Sequence, residues 1–227
     1  MQIIDTGVMG TRSAILRLRR NGSRLNFLIF PMMHIASPRF YKEVRRRLGA
    51  CEVVVAEGIT SPSVVVSALT LTYRIIPANR RSGLVEQDID YRALGVEVIY
   101  PDISGEEFDR GWRAMPFWMR VVLWCSLPFV TIAQLVGGRR RLLAPDVVLE
   151  DGEPDVELPE ELAAVLGGER DERLFAALAE LHEKRSHERI DVAIVYGAQH
   201  VPVLVHRLAA TLGYRPTSAD WITMVDW

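Results

Sequence analysis

Short apolar runs alternate with amphipathic stretches along most of the chain. The apolar runs predict buried strands, at residues 25–32, 53–56, 96–100 and 191–196. Helical spacing of apolar residues, together with capping signals, predicts helices at residues 38–48, 104–113, 169–184 and 201–212. Strands that alternate with helices form a mostly parallel or mixed central sheet with helices on both faces. The pattern therefore predicts an α/β fold.

The N-terminal part of the chain contains a signal for a β-hairpin. Residues 13–18 alternate loosely between apolar and polar, and Asn21 and Gly22 then form a strong turn pair ahead of the second strand. Ser37 and Pro38 provide an N-cap followed by a proline at the first helical position. Smaller elements are expected as helices at 63–73 and 87–94 and as an edge strand at 222–225.

Two stretches interrupt this alternation. Residues 121–138 carry no charge over 18 residues and precede three arginines. The run is interpreted as a transmembrane span, as a helix on a membrane surface, or as a buried helical hairpin over the core or the active site. Pro128 and the polar residues inside the run favour the hairpin. We therefore expect one domain, 1–227, with an apolar helical insert at 112–145, and an acidic loop or linker at 146–166.

Charge and cysteine content narrow the class of protein. The chain of 227 residues has 27 basic and 29 acidic side chains, and this near-neutral balance argues against nucleic acid as a partner. Cys51 and Cys125 lack any metal-binding spacing, so two reduced thiols are expected. The first residues lack the features of a signal peptide. We expect a cytoplasmic protein, with membrane association through residues 115–138 left open; the sequence does not indicate an oligomeric state.

A polar, chemically active side chain follows each of the four predicted buried strands. These residues are His34, Glu57, Asp102 and His200. The carboxyl ends of parallel strands meet at one edge of a sheet, where ligands bind. Two imidazoles with one or two carboxylates could hold a divalent metal ion with positions left open for water or substrate. The same side chains could instead perform acid–base catalysis without a metal.

The sequence supports some of these candidate site residues more strongly than others. His200 lies between Gly197, which permits a tight turn and a close backbone approach, and a helix whose dipole favours a neutral imidazole. Glu57 ends a fully apolar strand, where a carboxylate needs a partner. Asp102 is predicted to cap the next helix, alongside Ser104. The remaining histidines are expected on the solvated surface: His182, His187 and His206.

Three segments of this chain resemble the TraB / TIKI / GumN superfamily. FPMMHIASPRFYKEVRRRLGACEVVVAEGI resembles the family's first Gly-x-x-His motif, its helix and the strand that ends in glutamate. GERDERLFAALAEL is similar to the family's arginine-containing helix, and YGAQHVPVLVHRLAATLGYR is similar to its second Gly-x-x-His motif. The likeness covers the first and last sixty residues or so, and the middle matches only in the order of its elements.

The resemblance implies a fold shared with erythromycin esterase-like and haem-binding ChaN-like proteins, and a metal-dependent hydrolase or peptidase. The substrate would be a small peptide or an ester, and the divalent metal ion would be Mn, Co or Zn. The positions that carry over are His34, Glu57 and His200 as metal ligands or acid–base groups, Arg170 as a further catalytic residue, and Gly197 as the turn glycine. Arg170 would orient Glu57 or bind a substrate carboxylate; the alternative is a surface ion pair with neighbouring acids.

One position departs from the family pattern. The first motif has Pro31 where the family has glycine, and proline cannot adopt a left-handed conformation. Either that glycine needs no positive φ, or the turn that carries His34 is altered. A second hypothesis follows from this departure and from the apolar stretch with Trp112, Trp118 and Trp124 nearby. It is a catalytically inactive binding module of the same fold for a hydrophobic peptide, a lipid or haem.

Overall fold

The computed structural model of the protein describes residues 2–58, 83–102, 104–122, 124–125 and 169–226. The chain divides into two compact units. The first unit consists of Met1–Glu57, Val85–Pro101 and Asp171–Trp227, and the second of Gly58–Leu84 and Asp102–Arg170. The expected helix at 63–73, the acidic loop at 146–166 and most of the insert lie outside the described residues. A single domain over 1–227 stays a prediction.

The first unit contains a mixed seven-stranded sheet, which confirms the predicted α/β fold. Its strands are β1 (Ile4–Gly7), β2 (Gly10–Arg19), β3 (Asn26–Met32), β5 (Val53–Ala56), β7 (Glu97–Ile99), β8 (Asp191–Gly197) and β9 (Arg215–Asp226). Their order is β1-β2-β3-β8-β5-β7, and β9 pairs with β2. The strands β3, β8, β5 and β7 run parallel, whereas β1, β2 and β9 pair antiparallel. Two short strands, β4 (Ile35–Ala36) and β6 (Val85–Glu86), form a separate pair.

The predicted N-terminal hairpin is present. β2 and β3 pair antiparallel with Leu16 opposite Ile29, and Gly22 in the turn has φ 82°, a conformation that favours glycine. The sequence pattern did not predict β1, and it predicted only residues 222–225 of β9. The first half of β9 is polar and exposed, so backbone pairing with β2, not an apolar pattern, holds it in the sheet.

In the part of the chain that the structure describes, the helices with defined bounds are α1 (Pro38–Leu48), α2 (Gly105–Ala114), α3 (Glu169–Arg185) and α4 (Val201–Thr211). The start of α1 confirms its signals, because Ser37 accepts a hydrogen bond from the Phe40 N–H and Pro38 is the first helical residue. The expected helix at 87–94 is only a turn at Arg92–Leu94. Asp90 accepts hydrogen bonds from two N–H groups of that turn, a local arrangement that competes with helix.

The core of the first unit lies along the parallel strands. All four residues of β5 and the central residues of β8 are buried. Helix α3 buries Leu174, Leu178 and Leu181, the face that its sequence spacing predicted.

The two cysteines are free, as expected, although Cys51 is buried and Cys125 is exposed.

His182, which the sequence analysis placed on the solvated surface, belongs to a hydrogen-bonded network. Arg20 donates to Nε2 of His182 at 2.6 Å, and Nδ1 of His182 lies 3.0 Å from the hydroxyl of Tyr214. The Tyr214 hydroxyl also bonds Ser23 at 2.9 Å. Partial burial and the nearby Arg20 charge lower the pKa of His182. His182 is thus partly exposed and held by hydrogen bonds, whereas His187 and His206 are exposed as predicted.

The second unit begins its helix α2 with a capping box. Ser104 accepts from the Glu107 N–H at 3.2 Å, and Glu107 accepts from the Ser104 N–H at 2.8 Å. Trp112, Met115 and Met119 form a buried apolar cluster. Among the described residues, none of the helices is long and apolar enough to cross a membrane.

Candidate functional site

The carboxyl ends of three parallel strands lie side by side at one edge of the first unit's sheet. β8 is central, with Met32 of β3 opposite Gly197 and Ala56 of β5 opposite Val195. The N–H of Glu57 continues this pairing and donates to the carbonyl of Val195 at 2.9 Å. The register therefore places the residues that follow β3, β5 and β8 along a single edge, as the sequence predicted.

Gly197 is the point at which Glu57 and His200 meet. Its N–H donates to Oε2 of Glu57 at 2.7 Å. A Cβ atom built on Gly197 would lie 3.4 Å from Glu57 Oε2 and 3.6 Å from His200 Cδ2. Gly197 has φ −51°, which any residue can adopt. A side chain at this position would therefore contact both the carboxylate and the imidazole, whereas the backbone conformation does not require glycine.

His200 is buried within a short 3₁₀ turn, Ala198–His200, that precedes α4. Its Nδ1 lies 2.8 Å from Oδ1 of Asp171, a buried carboxylate oxygen that accepts no hydrogen bond in the structure. Its Nε2 lies 3.2 Å from the side-chain nitrogen of Gln199. The ring of Tyr196 packs edge-on against the imidazole, with centroids 6.1 Å apart. Both ring nitrogens thus face polar groups within a site of low exposure.

Tyr91 lies near enough to Glu57 for the carboxylate to affect the pKa of its hydroxyl. Burial is the main cause that raises the pKa of Tyr91, and the nearby Tyr100 and Glu57 add to it. The side-chain nitrogen of Gln87 lies 3.5 Å from the Tyr91 hydroxyl. The phenol therefore keeps its proton at neutral pH and can donate a hydrogen bond.

His34 has a different environment from His200. It follows β3 at the same edge, but its side chain is exposed, and its carbonyl accepts from the Gln87 N–H at 2.8 Å. Pro31, which stands where the superfamily that the chain resembles has glycine, is a buried residue of β3. The corresponding glycine of the second motif, Gly197, has a φ within the range of proline. Pro31 itself lies within β3, opposite Tyr196 of β8, and the role of His34 stays a prediction.

Arg170 belongs to the second unit and binds Asp102 there. Its Nε and Nη2 donate to the two carboxylate oxygens at 2.7 and 2.6 Å. The Asp102 side chain has no exposed surface, and it also accepts from the Gly58 N–H at 3.2 Å. Sequence analysis did not foresee this pair, and the proposed roles of Arg170 toward Glu57 or a substrate stay predictions.

Three residues near Glu57 and His200 were not predicted from the sequence: Asp171, Gln199 and Tyr91. Asp171 was considered only as a surface partner of its neighbour Arg170. Its contact with His200 joins residues far apart in the sequence, and no local spacing encodes such a contact. Gln199 carried a usable signal, because it directly precedes His200 in the second motif.

A metal site was also expected. Among the described residues, no group of three or more His, Cys, Asp or Glu side chains is arranged to hold a metal ion. Glu57 and His200 instead face Gly197, Asp171 and Gln199. A divalent ion on His34, Glu57 and His200 stays a prediction. Acid–base chemistry by Glu57 and His200 does not require such an ion.

No family model, curated protein or solved structure matches this chain. The resemblance to the TraB / TIKI / GumN superfamily therefore rests on the sequence motifs alone and stays a prediction.

Proposed function

We propose that this protein is a hydrolase that cleaves a peptide or ester bond, with Glu57 and His200 as its acid–base pair. One observation carries the proposal: the carboxylate and the imidazole lie on either side of Gly197, at the carboxyl edge of a parallel sheet. Ligands of open α/β sheets bind at this edge. Acid–base catalysis requires groups within hydrogen-bond reach of a shared water or substrate, and the two side chains that flank Gly197 would supply these groups.

In the proposed reaction, a water molecule attacks the carbonyl carbon of the substrate. Nε2 of His200 takes one proton from this water, and Glu57 accepts a hydrogen bond from the other. The tetrahedral intermediate then expels the leaving nitrogen or oxygen, which takes the proton back from His200 as its bond to carbon breaks. Tyr91 would donate a hydrogen bond to the carbonyl oxygen as negative charge develops there.

The resemblance adds a metal-dependent form of the same proposal. His34, Glu57 and His200 would hold the ion, which would lower the pKa of a bound water to about 7 and polarise the carbonyl. Metal analysis of the purified protein, followed by chelation and re-addition of Mn, Co or Zn, tests this form. Activity that survives complete chelation would eliminate it while leaving the acid–base form intact.

The hydrolase proposal is tested with a panel of chromogenic esters and fluorogenic peptides. Wild type is compared with His200→Ala and with His206→Ala, a control that removes an exposed histidine from α4. We expect wild type to cleave at least one substrate and His200→Ala to lose about 10²–10⁴-fold in kcat, while His206→Ala keeps full activity. A wild type that cleaves nothing, or a fully active His200→Ala, would overturn the proposal.

A specific surface favours a second candidate, the binding module. In the second unit, several large apolar side chains between residues 117 and 124 are exposed: Phe117, Trp118, Val121, Val122 and Trp124. The ligand would be a hydrophobic peptide, a lipid or haem, or the residues would attach the protein to a membrane surface through 115–138. Thermal stabilisation by such a ligand, unchanged in His200→Ala and lost in Trp118→Ser, would favour this candidate. Flotation with liposomes would identify the membrane form.

A further inference from the structure

The two ring nitrogens of His200 face groups of different chemistry. A carboxylate oxygen of Asp171 lies 2.8 Å from Nδ1, and the side-chain nitrogen of Gln199 lies 3.2 Å from Nε2. An amide nitrogen can only donate hydrogen bonds, and a carboxylate oxygen can only accept them when it is ionised. A neutral His200 with its proton on Nδ1 would give the buried Oδ1 of Asp171 a hydrogen-bond donor and would leave the lone pair of Nε2 facing the Gln199 amide nitrogen.

The same neighbours can also accommodate a protonated, positively charged His200. When Nε2 takes up a proton, Nδ1 keeps its own, and the Asp171 carboxylate faces the positive imidazolium. The Gln199 amide can rotate to present its oxygen to the new Nε2 proton, because the two ends of an amide have nearly the same shape. Ionisable groups of the first unit near the ring include Glu57, across Gly197, and Tyr196.

Arg207, a cation whose pKa Asp171 helps to raise, is bound by the adjacent acid Glu172. Arg207 lies close to Asp171, but Glu172 binds its guanidinium with two hydrogen bonds, at 2.8 and 2.9 Å. The same guanidinium also stacks on the ring of Phe175. Asp171 therefore keeps its Oδ1 directed at His200, while the adjacent Glu172 serves the surface.

We propose that Asp171 is a positioning residue that fixes the proton of His200 on Nδ1 and so makes Nε2 the atom that exchanges protons with the substrate water. This inference rests on the proposed hydrolase function for its catalytic meaning. It follows the general pattern in which a carboxylate holds an imidazole in one tautomer and stabilises its charged form. Asp171 itself touches no reacting atom.

Nitrogen-15 NMR of the histidine rings tests the inference without any substrate. In the wild-type protein at pH 8, we expect the His200 signals of a ring protonated at Nδ1. In Asp171→Ala we expect a mixture that includes the form protonated at Nε2, whereas Asp171→Asn keeps an acceptor oxygen and retains the wild-type form. Glu172→Ala is the matched control, since it removes an acid from the same helical turn without facing His200.

Kinetics provide the second readout once a substrate is found. Asp171→Ala should lose about 10–100-fold in kcat with little change in KM, Asp171→Asn should lose less, and Glu172→Ala should match wild type. An unchanged His200 tautomer in Asp171→Ala would overturn the inference, whatever the kinetics show. If no substrate is cleaved by wild type but the tautomer shifts as described, the proposed function fails and the positioning role of Asp171 stands.

Discussion

Replacing Gly197 by alanine places a methyl group where Glu57 and His200 meet. The added carbon would lie 3.4 Å from Glu57 Oε2 and 3.6 Å from His200 Cδ2, both ordinary van der Waals distances. The backbone at Gly197, φ −51° and ψ 138°, is open to alanine. The substitution therefore fills the space between the two groups without forcing the fold to move.

These distances predict opposite effects on stability and activity. Glycine to alanine at a compatible position stabilises a protein by about 0.4–1 kcal/mol, because the unfolded chain loses freedom. The methyl group would displace the reacting water by about 1 Å or more, and a misplacement of that size can cost about 10²-fold in rate. Gly197→Ala should thus fold at least as well as wild type while losing roughly 10²-fold in kcat.

Urea unfolding and steady-state hydrolysis measure the two effects separately. Gly49→Ala is the matched control, because Gly49 also has an ordinary φ of −67° and lies at the end of α1. A methyl group there would make only ordinary van der Waals contacts. That control should keep full activity. If Gly197→Ala hydrolyses substrate at the wild-type rate, the space above Gly197 is not where the reaction occurs.

Three further predictions concern stability and reactivity. Asp102→Asn removes one partner of a buried ion pair and leaves Arg170 without its carboxylate, so urea unfolding should show a loss of about 3–5 kcal/mol; a loss under about 1 kcal/mol, typical of surface pairs, would contradict this. The lowered pKa of His182 means that the unfolded chain binds more protons than the folded one below pH 6.5. Stability should be full above that pH and fall as the pH drops below it, and His182→Gln should flatten the fall in urea midpoints. Burial raises the pKa of Cys51 to about 12, so a thiol reagent at pH 8 should label the exposed Cys125 and leave Cys51 unmodified; rapid labelling of both would show that Cys51 is accessible.

Local signals predicted the parts of the fold that local interactions hold in place. The Asn21–Gly22 turn and the Ser37 cap of α1 each depend on residues a few positions apart, and both were predicted correctly. The long strand β9 was mostly missed, since its exposed half carries no apolar alternation and is held by pairing with β2. The shape of such a strand is determined by its partner.

In the candidate site, too, the sequence predicted individual residues but not the contacts between residues that are distant in the chain. Glu57 and His200 were predicted because each stands out at the end of an apolar strand, and the register of β8 with β5 brings them together. The contacts that refine their chemistry were not predicted, because they join distant residues. Asp171 reaches His200, and Arg170, the residue beside Asp171 in the chain, instead binds Asp102. Arg170 and Asp171 are adjacent in sequence but belong to different compact units. Sequence spacing alone does not reveal this difference.

A double-substitution cycle at Glu57 and His200 tests the central claim that these two residues act together at one site. kcat/KM is measured for wild type, Glu57→Gln, His200→Ala and the doubly substituted protein on the same substrate. Residues that act as one catalytic unit are strongly non-additive, so each single change should remove most of the activity and the double change should cost little more. Losses that multiply, or a single variant as active as wild type, would contradict the account.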